Sequence, residues 1–143
     1  MRLRRIFVFA AALFALCSAS AFAQIDWKAR IASSNGVDKI KNSLYYAELQ
    51  TKAADQAYRN GKDADALADL QDVRTYAQLA ADTSMDLRKR EKDTEIAIRK
   101  IAKRLLDMKQ SVDFDEQPAV QKVLDAVQST HDQLLDFMFK KKH

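Results

Sequence analysis

The histidines are the residues best suited to chemistry in this chain, because imidazole exchanges protons near neutral pH and binds metals. His131 falls on the apolar side of a predicted helix, and His143 ends the sequence. Helical bundles can hold b-type haem between a histidine and a methionine. One hypothesis is therefore a haem-like or metal site that uses His131 with a methionine such as Met108. The other is a structural histidine between two helices, hydrogen-bonded to Glu95 or Asp132.

Other motifs for catalysis and ligand binding are missing from the sequence. The one cysteine, Cys17, lies in a segment that we predict to be removed, so no thiol nucleophile and no CxxC pair remain. Neither a Gly-rich phosphate loop nor an HExxH motif occurs. Asp65, Asp69 and Asp72 follow helical spacing and lack the glycine of a calcium-binding loop. The sequence therefore predicts no enzyme activity, no catalytic, cofactor-binding or metal-binding residues, and no bound cofactor.

A basic run and an aromatic carboxyl-terminal segment indicate a binding surface. Four of the five residues from 88 to 92 are basic, and a Phe-Met-Phe sequence occupies 137–139. Such residues bind acidic proteins or anionic lipid surfaces. The predicted interaction surface consists of Arg88, Lys89, Arg90, Lys92, Phe137 and Phe139.

The first 23 residues have the pattern of a secretory signal peptide. Arginines at positions 2, 4 and 5 precede an apolar run from 6 to 16, and Ala21-Phe22-Ala23 matches the small-residue motif before a cleavage site. The apolar run is shorter than the roughly 20 residues that span a bilayer. We therefore predict export to the periplasm or the exterior, with cleavage after Ala23.

Removal of the signal peptide changes what the charge implies. The full chain carries 24 basic and 20 acidic residues, and the predicted signal contains three of the bases and no acid, so 21 bases and 20 acids remain, a net of +1. Such a chain lacks the excess of positive charge that binds nucleic acid. We therefore predict no nucleic-acid partner.

An apolar stripe from Lys62 to Val112 dominates the remaining chain. In alternating steps of four and three residues it visits fourteen positions, of which eleven are apolar, and neither Gly nor Pro interrupts it. A 3.5-residue period is typical of coiled coils and helical bundles. The stripe consists of Ala66, Leu70, Val73, Ala77, Ala80, Ser84, Leu87, Glu91, Thr94, Ile98, Ile101, Leu105, Met108 and Val112.

A shorter helix is expected to fold back on each half of this stripe. The first runs from about residue 37 to 59 and ends at Asn60-Gly61, where the glycine supplies a left-handed residue. A turn this short forces antiparallel pairing and places Tyr45 near Tyr76. The second follows Pro118 and ends near residue 139.

The predicted fold is therefore all-α. It is a coiled-coil-like helical bundle over residues 37–139, in which a long central helix carries an antiparallel shorter helix on each half. A lead-in segment at 24–36 precedes the bundle, and a basic tail at 140–143 follows it.

The polar segment 82–95 leaves two arrangements open. Its only apolar residues are Met85 and Leu87, and Thr83 with Asp86 resembles a capping box. A break here gives four shorter helices in a compact bundle. The stripe keeps its phase through Leu87, which favours one continuous helix.

Net charge indicates which helices pair. Residues 24–60 carry six bases and four acids, +2, whereas residues 61–86 carry two bases and six acids, −4. Residues 87–112 carry nine bases and four acids, +5, whereas residues 113–139 carry one base and six acids, −5. Opposite charges favour pairing of the first two segments and of the last two.

These features favour a non-enzymatic interaction, scaffold or chaperone-like module of the cell envelope. Its partner is another protein or a second copy of the chain in a homodimer, and contact with a membrane surface is a weaker expectation. The alternative function is a cofactor-binding or metal-binding bundle that uses His131.

Overall fold

The computed structural model describes residues 25–140, so the predicted signal peptide at 1–23 and all but the first residue of the predicted tail lie outside the described residues. The described part is all-α and contains no strand, which confirms the prediction of a helical bundle. No helix within it is both long enough and apolar enough to cross a membrane. The helices are α1 (Trp27–Ser33), α2 (Gly36–Arg59), α3 (Asp63–Leu87), α4 (Glu91–Ser111) and α5 (Gln117–Lys140), with a 3-10 turn at Phe114–Glu116 before α5.

Helices α2 and α3 form an antiparallel hairpin with a contact surface rich in alanine. Ala47, Ala54, Ala77 and Ala81 are fully buried there. Small side chains let the two helices approach closely, but each buries little apolar area. This hairpin therefore depends on close backbone approach more than on large side chains.

Helices α4 and α5 form a second hairpin, and its buried residues are larger. Ile98, Ile101 and Leu105 of α4 are fully buried, as is Leu134 of α5. Burying a side chain of this size stabilises a fold by roughly 1.5–3 kcal/mol. The second hairpin thus supplies most of the large apolar side chains of the core.

The prediction of one continuous central helix is wrong in this structure. Helix α3 ends at Leu87 and α4 begins at Glu91, so the alternative with a break is the one observed. Arg88 and Arg90 in the connecting turn adopt left-handed conformations with φ of 52° and 58°. Helices α3 and α4 consequently fold back on each other instead of extending in line.

The apolar stripe survives this break. Eleven of its fourteen positions are buried, and Glu91 and Val112 are half-buried. Leu87, the last residue before the turn, is the only exposed member of the stripe and keeps 40% of its surface accessible. The periodicity therefore predicted the buried faces of both helices correctly and missed the place where they separate.

The two hairpins pack side by side through contacts of α3 with α5 and of α2 with α4. Within each hairpin the helices have opposite net charge, as predicted. Between the hairpins the charges are alike, because α3 and α5 lie in acidic segments whereas α2 and α4 lie in basic ones. Grooves of about 350 Å³ and 370 Å³ run along these two contacts.

Helix α1 packs against the first hairpin and changes the predicted pairing of the tyrosines. The ring of Trp27 lies 4.9 Å from that of Tyr45, centroid to centroid. Tyr46, and not Tyr45, faces Tyr76, at 4.8 Å in an edge-on arrangement. The expected Tyr45–Tyr76 contact is therefore wrong by one residue, and Tyr45 lies against α1 instead.

Candidate functional site

The two parts of the predicted interaction surface lie together at one end of the bundle. The guanidinium carbon of Arg88 lies 5.9 Å from the centroid of the Phe137 ring, within the range of a cation–π contact. This contact joins the α3–α4 turn to the last turns of α5. We call the combined region the turn-end surface; it consists of Leu87, Arg88, Lys89, Arg90, Lys92, Phe137 and Phe139.

Most of the turn-end surface is accessible to solvent. The four basic residues are exposed, and Phe137 is half-buried beneath Arg88. Phe139 keeps 60% of its surface accessible and Leu87 keeps 40%. Exposed apolar side chains of this size beside several bases are typical of a protein-binding surface.

Hydrogen bonds within the turn give this surface its shape. The buried Ser84 hydroxyl donates to the carbonyl oxygen of Lys89 at 2.6 Å. The backbone N–H of Lys89 in turn donates to the carbonyl of Ser84 at 3.2 Å. Arg90 forms an ion pair with Asp93 at 2.9 Å. The basic side chains consequently project from a turn that is tied to the end of α3 and to the start of α4.

The charge of the turn-end surface is patterned and not uniformly positive. Residues 86–93 contain four bases and three acids, a net of +1. Binding to anionic lipid responds mainly to accumulated positive charge, whereas binding to a protein responds to the arrangement of charges. The pattern therefore fits a folded partner better than a membrane surface.

His131 lies on α5, and its imidazole hydrogen-bonds to a carboxylate of α4. Its Nε2 is 2.8 Å from Oε1 of Glu95, one of the two bonds that we predicted. Its Nδ1 lies 3.8 Å from Asp132, and Arg99 also contacts Glu95, at 3.4 Å. Met108 is about 20 Å further along α4 than Glu95, so the structure does not bring it to the histidine.

A polar network that sequence reasoning missed fastens α1 to the first hairpin. The Tyr46 hydroxyl donates to Asp72 at 2.9 Å and accepts from the Gln50 amide at 2.5 Å. Lys28 of α1 pairs with the same carboxylate at 3.2 Å. No sequence pattern links these residues, because the network spans three helices.

The pKa shifts in this network point to a structural role. Burial raises the pKa of Tyr46, and hydrogen bonding to Asp72 raises the pKa of Lys28. Both shifts move the groups away from neutral pH, whereas acid–base catalysis requires a pKa near it. The network therefore favours docking of α1 over proton transfer.

Tyr58, at the end of the bundle opposite the turn-end surface, also has a shifted pKa. Burial raises the pKa of Tyr58 to about 12, and the nearby Glu116 and Asp63 carboxylates add to this effect. Its hydroxyl is buried and has no hydrogen-bond partner among the described residues. This tyrosine therefore stays neutral and acts as a core side chain.

The acidic stripe along α3 remains exposed or half-buried. Burial raises the pKa of Asp69, and the neighbouring Asp72 and Asp65 raise it further. Within residues 25–140 no three histidine, cysteine or acidic residues are placed to hold a metal ion.

No protein-family model, curated protein or solved structure matches this chain. What the protein does is therefore inferred from the arrangement of its own residues.

Proposed function

We propose that this protein is a non-enzymatic interaction module that binds a protein partner through the turn-end surface. The observation that supports the proposal is the contact between Arg88 and Phe137. It unites a basic turn and an aromatic helix end, which are far apart in sequence, into one accessible surface. The proposal includes export, which the signal-like pattern of residues 1–23 supports.

The chemistry of the turn-end surface indicates the kind of partner. Arg88 offers a planar guanidinium group that pairs with a carboxylate in two-pronged geometry, and Lys89 and Lys92 offer further positive charges, whereas Arg90 already pairs with Asp93. Leu87 in the turn and Phe139 at the end of α5 offer accessible apolar area. A partner with acidic side chains around a small apolar depression complements both features.

A site-specific photocrosslinking experiment tests the proposal in the native host. A photoreactive phenylalanine analogue replaces Phe139, and in a matched control it replaces Phe114. Phe114 is 83% exposed and lies at the opposite end of the bundle. We expect a discrete protein adduct from position 139 and none from position 114. Equal adducts from both positions, or none from either, contradict the proposed surface.

Charge variants then test the role of the bases. Arg88→Gln with Lys92→Gln removes two positive charges from the turn-end surface. Lys100→Gln with Lys103→Gln removes the same charge from another exposed part of α4. We expect the first pair to lower the yield of the position-139 adduct and the second pair to leave it unchanged. An equal loss in both pairs shows that only overall charge matters and contradicts a defined surface.

A further inference from the structure

We infer that the α3–α4 turn opens and that two copies of this chain exchange hairpins. In the exchanged dimer, the α2–α3 hairpin of each copy packs on the α4–α5 hairpin of the other, and α3 and α4 form one continuous helix. This inference does not depend on the partner proposed for the turn-end surface. Because that surface requires the break at Arg88, only the closed chain presents it. The inference rests on the conformation of the turn, the composition of the turn, the phase of the stripe and the contacts between hairpins.

The conformation of the turn is costly. Arg88 and Arg90 both have left-handed φ values, 52° and 58°. For a residue with a side chain, this conformation is less populated than the right-handed one by a factor of roughly five to thirty. Straightening the turn into a helix relieves both residues at once. Short turns that store strain of this kind favour exchange between copies.

The residues of the turn are well suited to a helix. Residues 87–91 read Leu-Arg-Lys-Arg-Glu, and all five belong to the group with high helix propensity. Neither Gly nor Pro is present to end a helix there. The turn between α2 and α3, by contrast, contains Asn60-Gly61. Of these two turns, only the one between α3 and α4 has a sequence that suits both a turn and a helix.

The phase of the stripe supports a continuous helix across the turn. Ser84, Leu87, Glu91 and Thr94 are separated by three, four and three residues, so in one helix they lie along a single face. Ser84 and Thr94 are fully buried in the closed bundle, whereas Leu87 is exposed. In the exchanged dimer, Leu87 lies at the centre of the long helix, next to Leu87 of the second copy. Its apolar side chain is then covered.

The contacts between hairpins identify the hairpin as the unit that exchanges. Segments of opposite net charge pair within each hairpin, whereas the segments that pack against each other between the hairpins have net charges of the same sign. Surface grooves of about 350 Å³ and 370 Å³ lie along the contacts between the hairpins. Because the α3–α4 turn joins the two hairpins, opening it frees each hairpin as a unit that keeps its own antiparallel contacts. A second copy offers the same complementary surfaces, so exchange restores the contacts between hairpins and gives up only the hydrogen bonds of the turn itself.

A crosslinking experiment distinguishes exchange from other association. Nε2 of Gln78 in the first hairpin lies 3.4 Å from Oε1 of Gln133 in the second. The full chain carrying Gln78→Cys and Gln133→Cys, in a Cys17→Ser background, is unfolded and refolded at low and at high protein concentration. Monomer and dimer fractions are separated by size and treated with a short bis-maleimide. Each single-cysteine chain serves as a control.

We expect refolding at high concentration to yield a dimer in which the reagent links two different chains. In the monomer fraction it should link the two positions within one chain. A chain that stays monomeric at high concentration overturns the inference. So does a dimer in which the reagent links only positions within the same chain, because such a dimer consists of two closed bundles.

Glycine variants test whether the turn controls the exchange. Arg88→Gly with Arg90→Gly removes the cost of the left-handed conformation and disfavours the continuous helix, so the dissociation constant of the dimer should rise by at least about 1,000-fold. Lys89→Gly is the matched control, because Lys89 lies in the same turn without a positive φ. It should raise the constant by only about tenfold. Equal effects of the two substitutions overturn the role of the left-handed arginines. Circular dichroism confirms that both variants are folded.

Discussion

The turn after α2 and the turn after α3 have the same pattern of backbone hydrogen bonds but contain different residues. In each, a left-handed residue follows the helix, and the next N–H reaches back to a carbonyl five residues earlier, Lys62 to Ala57 at 2.8 Å and Lys89 to Ser84 at 3.2 Å. The left-handed residue is Gly61 in the first turn and Arg88 in the second. Hydrogen bonding therefore determines the form of a turn, whereas its left-handed residue determines what that form costs.

The largest expected effect comes from placing a residue with a side chain at the left-handed position of the first turn, because the second turn already has such a residue there. A Cβ added at Gly61 meets no atom within 4 Å, so substitution there acts only through the φ of 69°. We expect Gly61→Val to lower the free energy of unfolding by about 2 kcal/mol, since a β-branched residue is strongly disfavoured at positive φ. Urea denaturation measures the loss. Ala64→Val, on the exposed face of α3, should cost about 0.5 kcal/mol, and equal losses in the two variants would contradict this reasoning.

The second turn, unlike the first, is stabilised by a hydrogen bond from a serine side chain. Ser84→Ala removes the hydroxyl that donates to the Lys89 carbonyl. We expect a loss of about 1 kcal/mol, the usual net contribution of such a bond. The measurement is urea denaturation at a concentration where the chain is monomeric. Ser111→Ala is the control, because that exposed hydroxyl bonds only within its own helix, and a loss there as large as at Ser84 would count against a special role for the Ser84 bond.

The first turn is also sensitive to alkaline pH through Tyr58, whose carbonyl accepts the Gly61 N–H. The pKa of Tyr58 is about 12 in the folded chain against an ordinary value of 10. A raised folded-state pKa contributes stability that is complete below pH 10 and is lost as pH rises toward 12. Denaturation between these pH values should show a smaller loss for Tyr58→Phe than for the wild type.

At neutral pH the same substitution should raise the free energy of unfolding by about 0.5 kcal/mol, because it removes a buried hydroxyl that has no hydrogen-bond partner among residues 25–140. Tyr45→Phe is the control. Tyr45 is 51% exposed, and its variant should keep the alkaline loss of the wild type. If Tyr58→Phe keeps that loss as well, Tyr58 does not cause it.

The smallest expected effect has the opposite sign to that of Gly61→Val. Arg90→Gly should raise the free energy of unfolding by about 0.5 kcal/mol, since relief of the left-handed conformation exceeds both the added flexibility of the unfolded chain and the small loss from the exposed ion pair with Asp93. Lys89→Gly should lower it by about 0.5 kcal/mol, because its φ is not positive and only the flexibility term remains. Thermal and urea denaturation both measure the difference. A loss of stability in Arg90→Gly would show that the turn is not strained.

Sequence reasoning succeeded where a periodic pattern or a glycine carried the signal. The stripe predicted the burial of Ile98 and Ile101, and Asn60-Gly61 predicted the first turn. Of the two alternative partners expected for His131, Glu95 and Asp132, the hydrogen bond is to Glu95, across the antiparallel pair of α4 and α5. Each of these signals is local or depends on a single helix pair.

The features that sequence reasoning missed depend on contacts among three or more helices. No Gly or Pro marks the break at Arg88, because the turn is imposed by packing of the two hairpins and not by its own residues. The pairing of the tyrosines shifted by one residue, because α1 occupies the space beside Tyr45. The contact between Arg88 and Phe137 requires the break between α3 and α4. The residues of the predicted interaction surface could therefore be named from the sequence, but their contact could not be predicted.

The position of Trp27 allows the docking of α1 to be measured separately from the rest of the fold. It is the only tryptophan in the chain, and its ring lies against Tyr45 with the guanidinium carbon of Arg30 5.1 Å from its centroid. Tryptophan emission therefore reports whether α1 is docked on α2, while circular dichroism reports the helices of the bundle. A change in emission at constant helicity measures the free energy of that docking, separately from the stability of the four longer helices.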